Sequence, residues 1–530
     1  MPPINVLIAD TLSEDGVKLL KAESGLKVDI KTGLSSADLA QIVGSYEGLV
    51  VPSATKVTAE VIAKADKLKV IGRAGVGLDN VDADAATKRG IIVMNVPAGN
   101  TISTAEHTMS MIMACARRIP QAHAHARAGL WERSKFVGTE LFGKTLGIVG
   151  LGKIGTEVAK RSQAFGMRVI AYDPFLSSER AQQLDIQLTD LPTIYKEADF
   201  ITVHVPLTAE TKHMISTKEI AMMKKGVRLI NCARGGIIDE SALAQAITEG
   251  KVEGAAIDVF EQEPPPKDHP LLKLDQVVCT PHLGASTEEA QLHVAIEVAK
   301  QVADALLGRG IRNAVNMPSL DAQTLKVLQP YIVLGERLGS LASQLAGGQV
   351  AEVRVTYVGE MTAHDTSAVT LAILKGILAP MVGENVNYVN ASLIAAERGL
   401  KVVEAKASRM EEFANLLALE LRSNGSMLTL QGTLSARREP RIVKIDHYFV
   451  EASPEGYMLI IKNEDKPGLI GHLGTLLGES SINIAGMTNG RDKPGGTAIT
   501  VVNIDNPVPP KVLEQVKRLK HVLDAKLIKL

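Results

Sequence analysis

Apolar and polar positions up to about residue 100 alternate between short β-rich runs and stretches with helical amphipathic spacing. Val6 to Ala9, Gly48 to Val51, Val70 to Gly72 and Ile91 to Asn95 read as buried parallel strands. Each is followed by a loop and a helix, and that βαβ rhythm predicts a doubly wound sheet covered on both faces. The rhythm restarts after Thr145 and runs to about Pro281, so a second α/β unit is expected. Pro97-Ala98-Gly99-Asn100 is the expected hinge between the two, and a long helix is expected from Thr104 to Ala116.

Past Asn316-Met317-Pro318 the pattern changes. Residues 350–358 alternate like a half-exposed antiparallel strand, and Ala-rich helical segments follow. Near Tyr457 a smaller unit begins: Met458 to Ile461 reads as a strand, Pro467-Gly468 opens a helix, and Thr497 to Ile504 is another strand. That outline predicts a ferredoxin-like arrangement. A length of 530 residues fits the resulting count of four units.

Charge narrows the function classes. Lys and Arg total 58 against 59 Asp and Glu, so no basic excess exists to neutralise a nucleic-acid backbone. An anionic ligand must therefore be met by a few local residues. The three cysteines, Cys115, Cys232 and Cys279, lack metal-ligand spacing and fit a reducing compartment, so no metal site is expected. No apolar run approaches the roughly 20 residues of a membrane span. The first strand lacks the basic n-region and cleavage site of a signal peptide, and the expectation is a soluble, cytoplasmic protein without a membrane partner.

The strand Thr145 to Val149 leads into Gly150-Leu151-Gly152-Lys153-Ile154-Gly155, and a helix is expected through about Phe165. This is the context a dinucleotide fingerprint requires. Gly150 permits the tight turn, Gly152 lets a pyrophosphate approach the backbone, and Gly155 allows close helix–strand packing. The helix amino terminus offers unpaired N–H groups to the phosphates. The next strand, Arg168 to Tyr172, ends at Asp173, about twenty residues beyond the motif, where a carboxylate accepts ribose hydroxyls and repels a 2′-phosphate. NAD is the expected cofactor.

Three downstream segments carry acid–base chemistry: Ile230-Asn231-Cys232-Ala233-Arg234-Gly235-Gly236, Ala256 through Asp258 and Glu263 to Pro265, and Thr280-Pro281-His282 through Thr287. Oxidising a secondary alcohol needs a base for the hydroxyl proton as hydride leaves. His282 suits this, because imidazole titrates near neutrality. Glu263 can hold one imidazole nitrogen and favour the charged form. Arg234 can clasp a carboxylate with its fork of donors. On these motifs the chain resembles the D-isomer-specific 2-hydroxyacid dehydrogenase family, whose Arg, Glu and His occupy them. The resemblance implies that Asp258 bonds the nicotinamide amide. It also implies that Lys153, Ile154, Val205, Pro206, Cys232, Ala233, Gly284 and Ala285 line the cofactor, with Arg234 and His282 beside it. His204, His107 and Glu106 are read as structural.

A narrower likeness, to the phosphoglycerate-oxidising branch, rests on Ile71 to Asp82, Trp131 to Phe136 and His282 to Thr287. It implies 3-phosphoglycerate as substrate. The loop Arg73-Ala74-Gly75-Val76-Gly77 can present backbone N–H groups to a carboxylate, and Arg73, Arg133 and Lys135 are candidates for the phosphate. One departure matters: Pro52 stands where that branch carries an Arg, and proline supplies neither a cation nor a backbone donor. Lys56, Arg73 or Arg133 compensates, or phosphate affinity is weaker, or the acid differs.

In the C-terminal third, Glu384 through Gly399 resembles the intervening domain of long members of this family, with spacing or an allosteric anion site as its role. Leu459 to Ile470 with Ser481 to Gly486 looks like an ACT domain. Such domains pair and bind an amino acid, by resemblance L-serine, for which Asn463, Asp465 and Asn483 are the candidate effector residues. The expected division is a catalytic domain at 1–98 and 291–317, a Rossmann NAD domain at 99–290, an α+β intervening domain at 318–452 and an ACT domain at 453–530. Paired ACT units favour a homotetramer. Three readings stay open: oxidation of 3-phosphoglycerate feeding serine synthesis, turnover of another 2-hydroxy acid such as glyoxylate, hydroxypyruvate or 2-hydroxyglutarate, and a non-catalytic NAD-sensing corepressor.

Overall fold

Gly48-Leu49-Val50-Val51 is buried at every position, the mark of a strand covered on both faces. It is β3 of a parallel sheet in which β1 (Ile4–Ile8), β2 (Leu26–Ile30), β4 (Val70–Arg73) and β5 (Ile92–Met94) complete the order β2-β1-β3-β4-β5. The computed structural model describes residues 2–348, 350–407, 413–423 and 426–530. The chain divides into two units, one of Met1–Asn95 with Glu297–Leu530 and one of Val96–Ile296. The edge strand β2 is absent from the sequence expectation, because Leu26-Lys27-Val28-Asp29-Ile30 is half-exposed throughout and has no clean alternation. A Cβ on Gly72 would lie 2.4 Å from Val302, so the glycine lets the helix Glu288–Leu306 settle directly on β4.

The unit Val96–Ile296 holds seven parallel strands in the order β12-β11-β10-β9-β6-β7-β8. They are β6 (Thr145–Val149), β7 (Arg168–Tyr172), β8 (Gln187–Leu188), β9 (Phe200–Val203), β10 (Val227–Asn231), β11 (Val252–Ile257) and β12 (Val277–Cys279). Strand order reverses between β6 and β9, the switch point where doubly wound sheets bind ligands at their carboxyl ends. Helix Thr101–Arg117 packs on this sheet through Ala105, Met109, Ile112 and Ala116.

Beyond residue 320 the first unit continues into a six-stranded mixed sheet. Its strands are β13 (Val350–Val358), β14 (Lys401–Ala407), β15 (Leu416–Ser423), β16 (Ser426–Leu434), β17 (Pro440–Ile445) and β18 (Tyr448–Ala452). The segment 350–358 is the half-exposed strand β13, antiparallel to β15 as expected, with β14 parallel on its other side. Helices Ala322–Ala346 and Ser367–Val382 cross closely, because Gly339 lies where a Cβ would come within 2.3 Å of the Ile373 carbonyl. The last strands, β19 (Tyr457–Glu464), β20 (Ile484–Arg491), β21 (Thr497–Ile504) and β22 (Val522–Lys529), form an antiparallel sheet ordered β20-β21-β19-β22. With helices Leu469–Glu479 and Pro510–Lys517 this is the ferredoxin-like βαββαβ pattern. Met458, Ile460, Ile499, Val501 and Ile528 of that sheet share one core with Leu338, Leu341 and Leu430 of the intervening segment.

Candidate active site

Loops at the carboxyl ends of β10, β11 and β12 carry the acid–base residues. After β10 the Asn231 side chain turns the chain, its Oδ1 accepting from Ala233 N at 3.0 Å and its Nδ2 donating to Arg234 O at 2.8 Å. Arg234 Nη1 donates to Ala233 O at 2.7 Å. Gly235 must be glycine, since a Cβ there would sit 2.0 Å from Phe260 O. That close approach joins the Arg234 loop to the loop after β11.

His282 follows β12 with a left-handed φ of 57°, an uncommon conformation for a residue with a Cβ. Its Nδ1 lies 2.8 Å from Glu263 Oε2. An ionised carboxylate only accepts, so Nδ1 carries the proton and the neutral ring keeps Nε2 as its base. The Glu263 hydrogen bond and charge raise the imidazole above its ordinary range, while burial and the charge of Arg234 oppose them and lose. Arg234 is thus within electrostatic reach of the ring. Burial alone would raise the Glu263 carboxyl, but the His282 bond and charge with the Phe260 N–H outweigh it and hold it below the carboxylate range. Glu261, two residues earlier, pairs instead with His213 at 2.7 Å.

Asp258 directly follows β11 beneath the His282 loop. Its side chain is wholly enclosed. Oδ1 accepts from Thr280 Oγ1 at 2.7 Å, Leu283 N at 2.7 Å and His107 Nε2 at 3.1 Å, and Oδ2 accepts from Gly284 N at 3.0 Å. Gly284 likewise spends its carbonyl on Thr104 Oγ1 at 3.0 Å, so its backbone is engaged inside the protein. Burial pushes the Asp258 carboxyl up, yet its donors hold it below the ordinary range.

The glycine turn after β6 fits a dinucleotide. Gly150 has φ 95°, and a Cβ there would meet His204 O at 2.6 Å; Gly155 would meet Gly150 O at 2.2 Å. Over Gly152 a Cβ would meet nothing within 4 Å, the open cradle a phosphate needs at the start of helix Lys153–Ala164, which Lys153 and Ile154 begin. Asp173 closes β7, its Oδ2 accepting from Leu151 N at 2.8 Å and its Oδ1 from Phe175 N at 2.9 Å. Lone pairs remain for ribose hydroxyls. Val205 and Pro206 follow β9, Cys232 is buried beneath the Arg234 loop, Ala233 is half-buried and Ala285 is exposed. His204 is kept neutral, burial lowering it to about 4.

The candidate substrate residues fall in two places. Arg73 ends β4, donating from Nη2 to Ser53 Oγ at 2.9 Å beside Pro52, and Ala74 N donates to Val51 O at 2.8 Å. Gly75 has φ 149°, and a Cβ there would strike Arg73 Nη1. Among the described residues, the N–H groups of Val76 and Gly77 take no protein acceptor. Arg133 and Lys135 lie in the 3₁₀ turn Arg133–Phe136 of the other unit, with Lys135 paired to Glu132. The effector candidates are not brought together within one chain. Asp465 accepts from Arg491 and Gly495 N, and Asn483 donates to Asp505 at 2.7 Å. Asn463 is buried, donates to Glu464 O and accepts from Thr500 Oγ1.

The candidate residues in Val96–Ile296 fall within a match to the D-isomer specific 2-hydroxyacid dehydrogenase NAD binding domain over residues 109–284. Residues 327–446 match the D-3-phosphoglycerate dehydrogenase intervening domain, and residues 457–521 match the ACT domain. A D-3-phosphoglycerate dehydrogenase of Archaeoglobus fulgidus is 48% identical over 99% of this chain and 100% of its own. The chain belongs to the D-3-phosphoglycerate dehydrogenase family. This family's Bacillus subtilis member is 43% identical over 99% of each chain. Part of the fold is shared more widely: the D-lactate dehydrogenase of Aquifex aeolicus, solved with NAD and lactic acid, matches 59% of this chain with its whole length at 32% identity and a TM-score of 0.52. The chain is an NAD-dependent dehydrogenase. Among the described residues no helix is long and apolar enough to cross a membrane, and no His, Cys, Asp and Glu cluster could hold a metal.

On the sequence His107 reads as structural and Thr104 and Thr280 take no role, yet these three surround Asp258. Their signal is faint: Thr104, His107 and Met111 share one helix face, a spacing that reads equally as packing.

Proposed function

We propose that this chain oxidises the C2 hydroxyl of 3-phospho-D-glycerate to 3-phosphohydroxypyruvate, the first step of L-serine biosynthesis. The observation that carries the reaction type is the Glu263–His282 pair, which leaves Nε2 free at the end of a dinucleotide-binding sheet. Neutral His282 takes the hydroxyl proton, and Glu263 keeps Nδ1 protonated and offsets the charge that develops. Arg234 holds the carboxylate and polarises the C2 oxygen. Bound NAD supplies the hydride acceptor. Full-length similarity to relatives of that name supports the phosphorylated substrate. The Arg73 guanidinium beside Ser53 supports a cation taking over at the Pro52 corner, with Arg133 and Lys135 as further candidates.

The ACT domain supports control by a small molecule, which we take to be L-serine held by Asp465 and Asn483. Trp131, 81% exposed, and Val137 and Phe142, each 77% exposed, are apolar side chains whose exposure supports subunit pairing, and a homotetramer is the assembly we favour. Cys115, Cys232 and Cys279 are all thiols, which agrees with a cytoplasmic enzyme.

A second reading, another 2-hydroxy acid as substrate, rests on Pro52. Steady-state rates with 3-phosphoglycerate, D-glycerate and 2-hydroxyglutarate separate the two. The phosphorylated acid is expected to have the highest kcat/KM by at least tenfold. Equal values for D-glycerate would overturn the phosphate assignment.

A further inference from the structure

His107 projects from helix Thr101–Arg117, one turn after Thr104, and both residues reach the loop that carries His282. Thr104 Oγ1 donates to Gly284 O at 3.0 Å. His107 Nε2 lies 3.1 Å from Asp258 Oδ1 and 3.2 Å from Thr280 Oγ1. Thr280 gives its own proton to Asp258 at 2.7 Å, and the carboxylate has none to give, so Nε2–H is the donor to both. Asp258 in turn takes the N–H groups of Leu283 and Gly284, while its carbonyl takes the N–H of His282 at 2.9 Å. His282 is therefore framed on both sides by bonds to one enclosed aspartate. Its φ of 57° needs such a frame, because a left-handed conformation persists only where the surroundings over-determine it.

We propose that His107 is a positioning residue for the dehydrogenase reaction: by fixing the Asp258 carboxylate from an adjoining helix, it sets where His282 presents Nε2. The assignment rests on the proposed role of His282 as base. Its chemistry is specific. A ring donor at this position satisfies a buried anion that three other donors leave open on one side, and an apolar ring fills the same volume without doing so.

The test compares His107→Phe and His107→Gln with the parent in the full-length enzyme. Gln keeps an N–H donor. Expected for His107→Phe is a fall in kcat of about tenfold to a hundredfold, the cost of displacing a reacting group by a fraction of an ångström to one ångström. KM for NAD and NADH binding by fluorescence should stay within about twofold, and His107→Gln should recover most of kcat. The ionisation of the base in the pH profile of kcat/KM should move down in His107→Phe as the Glu263 contact loosens. A lesion that only weakened folding would lower the melting temperature and the active fraction without moving that profile. Parental kcat and profile in His107→Phe would overturn the proposal, as would equal losses in both variants. A parent enzyme inert towards every 2-hydroxy acid would instead refute the functional reading itself.

Discussion

Replacing Asp258 by Asn isolates the anion on which the loop of His282 is built. In the parent, Oδ1 meets three donors, from Thr280, Leu283 and His107, and Oδ2 meets the N–H of Gly284. The amide oxygen of Asn must take the crowded side, because the alternative aims NH2 at three donors. Nδ2 then faces the Gly284 N–H, which is left without an acceptor in a buried position. An orphaned buried N–H costs about 1–3 kcal/mol, and the remaining bonds lose charge assistance, so the sum is about 2–4 kcal/mol. For a unit the size of Val96–Ile296 this lowers the melting temperature by roughly 5–15 °C. Turnover should fall further than stability, since His282 is bonded on both sides to this residue. Thermal unfolding with steady-state kinetics reads both. The sign with pH is also set. Asp258 has a folded pKa below its ordinary value, so its contribution is complete above that value and lost as pH falls through the folded one. The Asn variant should lose that acid-side slope. Parental melting temperature and kcat in Asp258→Asn would refute the argument.

Other outcomes follow from the same geometry. In the oxidation direction the rate should rise with pH through the elevated ionisation of His282, and Glu263→Gln should move that rise to lower pH with a kcat loss of about a hundredfold or more; an unmoved profile would remove Glu263 from the pair. Asp173→Ala should raise KM for NAD by about tenfold and narrow the preference over NADP, as measured with both cofactors. Serine titration of Asn483→Ala against the parent should show weaker inhibition; identical curves would take Asn483 out of the effector site. Arg234→Lys keeps the charge but loses the fork, and KM for the hydroxy acid should increase at least tenfold.

Much of this was legible in the residues. Buried parallel strands are continuous apolar runs, so β3, β4, β6 and β7 are readable at nearly their observed bounds, whereas the half-exposed edge strand β2 is not. The glycine turn was readable because each glycine answers a distinct steric demand. Enclosure was harder. Asp258 is legible as a strand-end carboxylate, but its enclosure by His107 and Thr280 is a tertiary contact that no local spacing shows. Alternation from Ile461, buried, through Lys462, exposed, already places Asn463 on the buried face of its strand.

The central claim is that imidazole Nε2 at residue 282 removes the substrate proton. Turnover of 3-phosphoglycerate by His282→Ala, measured beside NADH binding on the same preparation, addresses it most directly. The expected result is binding within about twofold of the parent with turnover down by about 10²–10⁴-fold. Turnover at the parental rate, with NADH bound normally, would contradict it.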